Sequence, residues 1–396
     1  MLRKLCSITL ILAALSFAGA TCLARDAAQT VYQMADGVVR PSRFEGAKRA
    51  YLPIIVNSNH ASNLLGLPNG DLLCFWFPGT WEGRSGVSIA MSRLDHGSNR
   101  WTLPVILSHH PGWSDQNPVP FRAPNGRLWL FHTSQKANEG QTTAMMYYLT
   151  SDDQGHSWTT PKVLFPQPGS FDRQHLVVFH NEWLLPTYQS ASYGIIANAQ
   201  NDRSIVKVSK DDGKTWSDCE VPGSGGFVQM DIVKLSEDSL LAFFRSRYAD
   251  WVYKSHSTDG CHWSVPVATQ LPNNNASIQV TRLKDGHLAI AFNNAQATTT
   301  RSGPRRAPRT ILSVALSMDG GKTWPWVRDV QAGNEPPPFR LGEDPEYAYP
   351  SIVQTSDGMI QLAFTFRRET IKYMTFDEQW IKQGSTAGIF KGDPKP

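Results

Sequence analysis

The stretch Ser209–Trp216 reads Ser-Lys-Asp-Asp-Gly-Lys-Thr-Trp, and its Ser-x-Asp-x-Gly-x-Thr-Trp pattern recurs along the chain. Close copies occupy residues 151–158 and 317–324, and shorter or eroded copies elsewhere keep the closing tryptophan. These tryptophans stand at positions 101, 158, 216, 263, 324 and 380, with spacings of 57, 58, 47, 61 and 56 residues. A repeat of this length predicts six structural units of similar size.

Each residue type that recurs in this pattern, which we call the Asp-box, has a role in folding. The Asp211 side chain can accept hydrogen bonds from turn amides, Gly213 can adopt a positive φ, and Trp216 offers a large apolar ring to cap the hairpin. None of these roles is catalytic, so we interpret the box as a folding signature.

A second periodic signal consists of short polar turns between apolar runs. They are Asn69-Gly70, Asn125-Gly126, Asn181-Glu182, Glu237-Asp238, Asp285-Gly286 and Asp357-Gly358. Asn-Gly and Asp-Gly in this setting are strong hairpin signals. In the fourth unit they predict strands at 230–235, 240–244, 252–256 and 265–268, and no unit shows a convincing helix pattern. The sequence therefore predicts an all-β, six-bladed β-propeller of four-stranded antiparallel blades with Asp-box turns.

The N-terminus has the features of a secretory signal peptide. Basic Arg3 and Lys4 precede an apolar run that reaches Ala18-Gly19-Ala20, a small-residue cleavage pattern. We assign residues 1–24 to the signal, cleaved after about 20 to 24, and expect a secreted or periplasmic protein. Lipidation at Cys22 is disfavoured because Gly19 stands where a bulky aliphatic residue is expected.

The remaining chain divides into three parts. Residues 25–50 form a lead-in that could contribute a closing strand, residues 51–385 form the propeller, and residues 386–396 form a tail. The Pro-rich segment 334–345 is expected to be a long loop before the sixth unit.

Charge and cysteine content narrow the class of protein. The formal net charge of +4 is small and dispersed, so nucleic-acid binding is not indicated, and we expect a monomer with no membrane-spanning segment after the signal. The cysteines beyond the signal are Cys74, Cys219 and Cys261, of which Cys219 and Cys261 are the candidate disulfide pair.

The order of strands predicts where a ligand pocket lies. If the hairpin turns and boxes share one face, the loops joining strands two to three and four to one share the other. The residues so placed around the axis are His60, Glu82, Asp115, Gln116, Asn117, Asp172, Arg173, Tyr188, Gln229, Arg245, Arg247, Asn274, Asn293, Asn294, Arg309, Glu346, Tyr347, Tyr349 and Arg367. Amide, tyrosine and arginine side chains suit a hydroxylated ligand with an anionic group. The alternative is that many of them bond loop backbone.

Other site types are not indicated. His109 and His110 are adjacent, no cysteine cluster exists, and the Gly-rich run 223–226 lacks a lysine and a following helix. We expect neither a metal nor a cofactor.

Boxes at this spacing resemble those of the sialidase (neuraminidase) superfamily, specifically bacterial secreted proteins with BNR repeats. The resemblance covers nearly the whole chain after the signal. It implies that three arginines hold the substrate carboxylate, that a tyrosine activated by a glutamate attacks the anomeric carbon, and that an aspartate serves as acid and base.

Three positions match this pattern and three depart from it. Phe244-Arg245-Ser246, the run from Arg309 to Leu312, and Tyr349-Pro350-Ser351-Ile352 resemble the second arginine, the third arginine and the tyrosine. His60 stands at the first arginine, and Gln229 stands at the glutamate. For the acid, the chain offers Glu82, with Asp115 as a substitute.

The resemblance thus implies a set of site residues. The catalytic candidates are Tyr349, Glu82, Asp115 and Gln229, and the substrate-binding candidates are His60, Asn117, Arg245, Arg309, Asn293, Tyr347 and Arg367. Because Gln cannot take the proton of a phenol, Glu346 or Asp231 is the alternative base.

Three functional hypotheses remain open. The first is an exo-glycosidase that releases a terminal, acidic, sialic acid-like sugar from glycans. The second is a propeller polysaccharide lyase or a hydrolase of a different sugar. The third is a glycan-binding propeller without catalysis.

Overall fold

The computed structural model describes residues 34–191, 200–297, 307–332, 346–384 and 390–391. The predicted signal peptide (residues 1–24), the Pro-rich segment 334–345 and most of the predicted tail lie outside these residues. Within them, no helix is both long and apolar enough to cross a membrane.

The regular secondary structure of the described chain is almost entirely β-strand. The strands are β1 (Arg40–Pro41), β2 (Lys48–Tyr51), β3 (Ser58–Gly66), β4 (Leu72–Gly79), β5 (Ile89–Leu94), β6 (Val105–Ser108), β7 (Trp113–Arg122), β8 (Leu128–Lys136), β9 (Met145–Ser151), β10 (Lys162–Phe165), β11 (Ser170–Asp172), β12 (Val177–Phe179), β13 (Glu182–Gln189), β14 (Arg203–Ser209), β15 (Ser217–Glu220), β16 (Phe227–Ser236), β17 (Ser239–Ser246), β18 (Trp251–Ser257), β19 (Val267–Pro272), β20 (Gln279–Arg282), β21 (Leu288–Asn293), β22 (Ala295–Gln296), β23 (Ile311–Ser317), β24 (Trp326–Ala332), β25 (Tyr347–Gln354), β26 (Ile360–Phe366), β27 (Thr370–Phe376) and β28 (Phe390–Lys391). The helices are a 3-10 turn, Gln141–Thr143, and α1 (Glu378–Lys382).

Six antiparallel sheets form a six-bladed β-propeller, as predicted. The first two blades have the orders β3-β4-β5-β6 and β7-β8-β9-β10, and the fourth and fifth have β16-β17-β18-β19 and β20-β21-β23-β24. In the third, the inner strand is split into β11 and β12, which both pair with β13, and β14 and β15 follow.

The N-terminal lead-in closes the ring. Strand β2 pairs with β27, so the last blade has the order β25-β26-β27-β2-β1. The ring is therefore joined by hydrogen bonds between the two ends of the propeller, which confirms the expected closing strand.

The Asp-box acts as the sequence predicts. Asp211 Oδ1 accepts hydrogen bonds from the backbone N–H groups of Lys214 (3.1 Å) and Thr215 (2.8 Å), and Gly213 has φ 83°. The Trp216 indole N–H donates to the Gly213 carbonyl (3.0 Å). The box thus closes the turn between β14 and β15.

The box tryptophans also join neighbouring blades. Trp158 packs edge-on against Phe75 of the preceding blade with ring centroids 5.8 Å apart. Trp216 meets Phe165 in the same way at 5.7 Å. Each ring therefore buries apolar surface between two blades, beyond its own turn.

The sixth box differs from the prediction of a strand turn. Asp377 instead caps the N-terminus of α1 by accepting the Trp380 backbone N–H (2.7 Å), and Trp380 lies buried in that helix. The reason is that β2 already supplies the fourth strand of this blade, so no strand has to follow the box.

Candidate functional site

A β-bulge recurs at the same level of several inner strands. Ala61, Asn117, Gln229 and Tyr349 each have φ between 52° and 57°, and each lies at a register shift between the first and second strands of its blade. A left-handed backbone is unfavourable for residues other than glycine and most of all for bulky ones. These bulges redirect side chains at one end of the propeller axis, and at Tyr349 the backbone strain marks a candidate functional residue.

Tyr349 of the last blade is paired with an arginine of the fourth blade. Arg245 Nη1 donates to the phenolic oxygen of Tyr349 (2.7 Å) and to Gln229 Oε1 (3.1 Å), while Nε donates to Asn275 Oδ1 (2.9 Å). A guanidinium has five N–H donors, of which these bonds use the three on Nε and Nη1. The two N–H groups on Nη2 are the ones available to an anionic ligand.

Cations surround the Tyr349 ring. The guanidinium carbons of Arg173, Arg245 and Arg309 lie 5.5, 5.7 and 5.3 Å from its centroid, and the His60 ring lies at 4.3 Å. Burial acts to raise the pKa of Tyr349, but Arg245 and Arg309 outweigh it and lower the pKa to about 8. The positive field therefore favours the phenolate, which is the nucleophilic form.

A chain of alternating charges joins Arg309 to Glu82. Arg309 Nη1 donates to Glu346 Oε1 (2.7 Å), and Arg368 Nε donates to Glu346 Oε2 (2.8 Å). Arg368 Nη2 lies 3.0 Å from Glu82 Oε2. Burial acts to raise the pKa of Glu346, but Arg309 and Arg368 hold it well below its usual range. Glu346 is therefore an ionised bridge between two arginines.

His60 is neutral and serves as a hydrogen-bond acceptor. Burial, reinforced by the charge of Arg368, holds the pKa of His60 well below its usual range. Arg368 Nη2 lies 3.3 Å from His60 Nε2, and because arginine can only donate, Nε2 must accept. The His60 proton is thus on Nδ1, which lies 2.9 Å from Thr365 Oγ1.

The two alternative bases do not contact Tyr349. Glu346 is bound to arginines, and Asp231 is buried and accepts the Val280 backbone N–H through Oδ2 (2.6 Å). Burial raises the pKa of Asp231 to about 8. Gln229, at the place of the family glutamate, contacts Arg245, and its amide is not basic.

Arg173 lies beneath Tyr349 at the break between β11 and β12. Its Nη2 donates to the carbonyl oxygens of Ser62 (3.1 Å), Tyr349 (3.2 Å) and Pro350 (3.1 Å). The side chain is fully buried, and burial lowers the pKa of Arg173 to about 10. This guanidinium ties three blades together and adds positive charge to the pocket floor.

Several other sequence candidates lie in different surroundings. Asp115 is fully buried and accepts hydrogen bonds from Ser108 (2.7 Å) and Ser134 (2.5 Å) between the first two blades. Asn293 Nδ2 donates to the carbonyl oxygens of Ile311 (2.9 Å) and Tyr347 (2.7 Å), which joins the last two blades.

Three further substrate-binding candidates are buried. The Tyr347 ring packs against Phe366 with centroids 5.2 Å apart in the core. Asn117 occupies the bulge of the second blade, and the Arg367 backbone N–H donates to the Glu346 carbonyl (2.6 Å). The contacts that surround Tyr349 thus involve Gln229, Arg245, Arg309, His60 and, through charge, Glu82.

One cluster of possible metal ligands lies elsewhere. Asp285, His287 and Glu378 bring ligand atoms within 4.8 Å of one another at the hairpin end of the fifth blade. Lys382 Nζ lies 2.5 Å from a Glu378 oxygen, so an ammonium group already balances this carboxylate.

Comparison with known proteins agrees with this geometry. A family model described as a BNR repeat-like domain matches residues 70–362. The chain belongs to this family. The family assignment and the relatives below place it in the sialidase superfamily, as the boxes predicted.

Relatives of this BNR repeat-like protein include sialidases. A sialidase of Micromonospora viridifaciens is 28% identical over 358 residues, which cover 79% of this chain and 50% of that protein. The chain therefore spans about half the length of that relative.

Solved structures share the fold at low identity. The Hadza microbial sialidase Hz136 has a TM-score of 0.65 at 14% identity, covering 82% of this chain and 67% of its own. The intramolecular trans-sialidase from Ruminococcus gnavus has a TM-score of 0.63 at 15% identity, and the match covers 88% of this chain and 99% of that protein. A protein of unknown function from Dyadobacter fermentans has a TM-score of 0.63 at 15% identity, and the match covers 84% of this chain and 99% of that protein.

Two residues at this BNR repeat-like site escape sequence reasoning. Arg368 follows Arg367, and only the turn geometry decides which of the two guanidinium groups reaches His60. Asn275, which holds Arg245, lies in an irregular segment between β19 and β20. The sequence signal that could have drawn notice to Arg368 is a pair of arginines at a strand end, where turn-forming residues are expected.

Proposed function

We propose that this protein is a sialidase-like exo-glycosidase that hydrolyses a terminal, acidic, sialic acid-like sugar from glycans. The observation that carries the proposal is the hydrogen bond from Arg245 to the Tyr349 phenol (2.7 Å) in a ring of cations. The same guanidinium also has donors for a substrate carboxylate, so the carboxylate and the nucleophile would be held side by side.

In this mechanism Tyr349 attacks the anomeric carbon while Glu82 protonates the departing glycosidic oxygen. The carbon–oxygen bond breaks and a covalent sugar–tyrosine intermediate forms. Glu82 then takes a proton from water, whose oxygen displaces the tyrosine and regenerates the phenolate. Two displacements at one carbon retain its configuration.

The position of Glu82 supports its role as the acid. It follows β4 in a loop, and its side chain is 30% exposed. When Glu82 is ionised, its charge acts to raise the pKa of Tyr349, so the two groups are electrostatically linked. A partly exposed carboxyl group beside this cluster of charges is suited to meet the leaving group of an exo-acting enzyme.

Replacement of Tyr349 by phenylalanine tests the assignment. A fluorogenic 4-methylumbelliferyl sialoside is incubated with the wild type, with Tyr349→Phe and with Tyr148→Phe as a matched control outside the pocket. We expect Tyr349→Phe to lower kcat/KM by about a thousandfold or more, because the attacking oxygen is removed. Tyr148→Phe should retain activity.

Two outcomes would contradict the proposal. Full activity of Tyr349→Phe would exclude tyrosine as the nucleophile. Saturable glycan binding by an inactive wild type would favour the glycan-binding alternative, which the unreactive amide of Gln229 supports.

A further inference from the structure

The turn between β26 and β27 is unusual for its sequence. The Glu369 backbone N–H donates to the Phe366 carbonyl (3.0 Å), and the two central residues, Arg367 and Arg368, have φ of 56° and 58°. Asn and Gly are the residues that favour two consecutive left-handed positions in a tight turn. Two arginines here keep a strained backbone, and strain of this kind marks positions with a functional constraint.

The strained turn delivers one guanidinium into the pocket. The Arg368 side chain is only 13% exposed and contacts Glu346 at 2.8 Å, Glu82 at 3.0 Å and His60 at 3.3 Å. Its guanidinium carbon also lies 5.5 Å from the centroid of the Trp81 ring. Arg368 therefore links the last blade to the loop that carries Glu82 on the first blade.

The backbone of that loop is fixed by the second blade. Gly83 N–H donates to Ser114 Oγ (3.1 Å), and its carbonyl accepts the Asn138 N–H (2.9 Å). The Glu82 carboxylate itself extends toward the last blade, where Arg368 meets it. The direction of the Glu82 carboxylate is thus set by a contact between the first and last blades. We call the boundary between these two blades the seam.

We propose that Arg368 is a positioning residue for the reaction, which holds Glu82 over the pocket so that its proton reaches the glycosidic oxygen. This inference rests on the proposed function, with Glu82 as the acid. As the proton moves from Glu82 to the leaving oxygen, Glu82 becomes a carboxylate, and the adjacent guanidinium stabilises that charge. His60, neutral and accepting from Nη2, orients the guanidinium.

The dependence of rate on the leaving group separates this role from a general structural one. An activated aryl sialoside departs with little protonation, whereas sialyllactose departs as a sugar alkoxide and needs the acid. The kcat/KM values for both substrates are measured with the wild type, Arg368→Asn and Arg368→Lys. Arg127→Asn, which breaks the exposed pair with Asp152 (2.7 Å), is the matched ion-pair control.

We expect Arg368→Asn to lower kcat/KM for sialyllactose by about a hundredfold and for the aryl sialoside by about tenfold or less. Asn tolerates the left-handed turn well, so any decrease in Tm should come from the lost ion pairs and not from the turn. Arg368→Lys should recover part of the loss on sialyllactose, and Arg127→Asn should alter neither substrate.

Equal losses on both substrates, or no loss on sialyllactose, would overturn the inference while leaving the proposed function intact. If Arg368→Asn fails to fold, the ratio of the two substrates for Arg368→Lys decides the same question. A wild type that cleaves neither substrate would overturn the proposed function and this inference with it.

Discussion

At the scale of single residues, the environment of Tyr349 is dominated by the positive charge of nearby arginines, and position 229 carries an amide where a base would stand. Gln229 accepts from the Arg245 Nη1 that also donates to Tyr349, so the amide holds the guanidinium without neutralising it. A carboxylate at this position would share the charge of Arg245 and could take a proton directly. Gln229 instead leaves the whole charge of Arg245 to act on the phenol.

This arrangement predicts the effect of Gln229→Glu on ionisation. The new carboxylate would oppose the field of Arg245, so we expect the pKa of Tyr349 to rise from about 8 by about one unit or more. Because the phenolate is the reactive form, the pH at which kcat/KM levels off should rise equally. Phenolate absorbance in the ultraviolet, followed against pH with Tyr349→Phe as the blank, measures the shift. An unchanged titration would show that Arg245 does not control Tyr349.

The lowered pKa of Tyr349 also links folding to pH. Because the folded pKa of about 8 is below the unfolded value of about 10, ionisation of Tyr349 adds stability above pH 10 that is lost as the pH falls through 8. This contribution is therefore absent at neutral and acidic pH.

The family resemblance put forward Tyr349, Arg245, Arg309 and Gln229 as candidates, because short runs of sequence around them lie near predicted strand ends. It could not identify Arg368, because strand alternation does not define a side-chain direction through a turn with two positive φ values. It also gave Asn293 and Tyr347 the same status as the arginines, since residues at a strand end can face either the pocket or a neighbouring blade.

At the scale of elements, hairpins and boxes were predictable because their chemistry is local. Asp319 repeats the bonds of the other boxes, with Lys322 and Thr323 N–H groups at 3.0 and 2.9 Å. The inner-strand bulges were not predictable, because Ala61, Gln229 and Tyr349 have positive φ values without being glycine, the residue type that indicates such a backbone. They depend on packing around the axis, which sequence spacing does not show.

The disulfide is an element that spans two blades. Cys219 in β15 is bonded to Cys261 in the box of the fourth blade, which confirms the predicted pair. The bond closes a segment with a sequence separation of 42 residues. A cross-link of this length restricts the unfolded chain by about 4 kcal/mol in the chain-entropy treatment.

Removal of this bond should therefore lower stability. We expect Cys219→Ser/Cys261→Ser to decrease the urea midpoint of unfolding, and a reducing agent to produce a similar decrease in the wild type. The reducing agent should not affect the double variant, because Cys74 is a free, buried thiol. Identical midpoints for all four samples would show that the bond does not contribute.

At the scale of the whole molecule, the propeller ring is closed by residues far apart in sequence. Strand β2, which leads into the first blade, pairs with β27 as part of the last blade, and Arg368 of the last blade contacts Glu82 and His60 of the first. The repeat predicted six blades and a possible closing strand, but it could not show that the seam runs through the site. Stability of the seam and geometry of the site are therefore coupled.

Tyr51 in the closing strand is the residue that tests this coupling. It is 5% exposed, and its ring packs edge-on against Phe366, with centroids 5.0 Å apart, directly before the Arg367–Arg368 turn. We expect Tyr51→Ala to lower the free energy of unfolding by about 3 kcal/mol, because a buried aromatic ring is lost. One cooperative transition should remain, since opening the seam exposes the edges of two blades.

The same variant should lower activity on sialyllactose in conditions where it is folded, because the turn that holds Arg368 loses its support. Urea unfolding followed by tryptophan fluorescence and by residual activity gives both quantities. Val163→Ala is the apolar control, because Val163 in β10 is 49% exposed. It should change neither the free energy of unfolding nor the activity. Activity lost well before a separate fluorescence transition would mean that the seam opens on its own, and the ring would then not unfold as one unit.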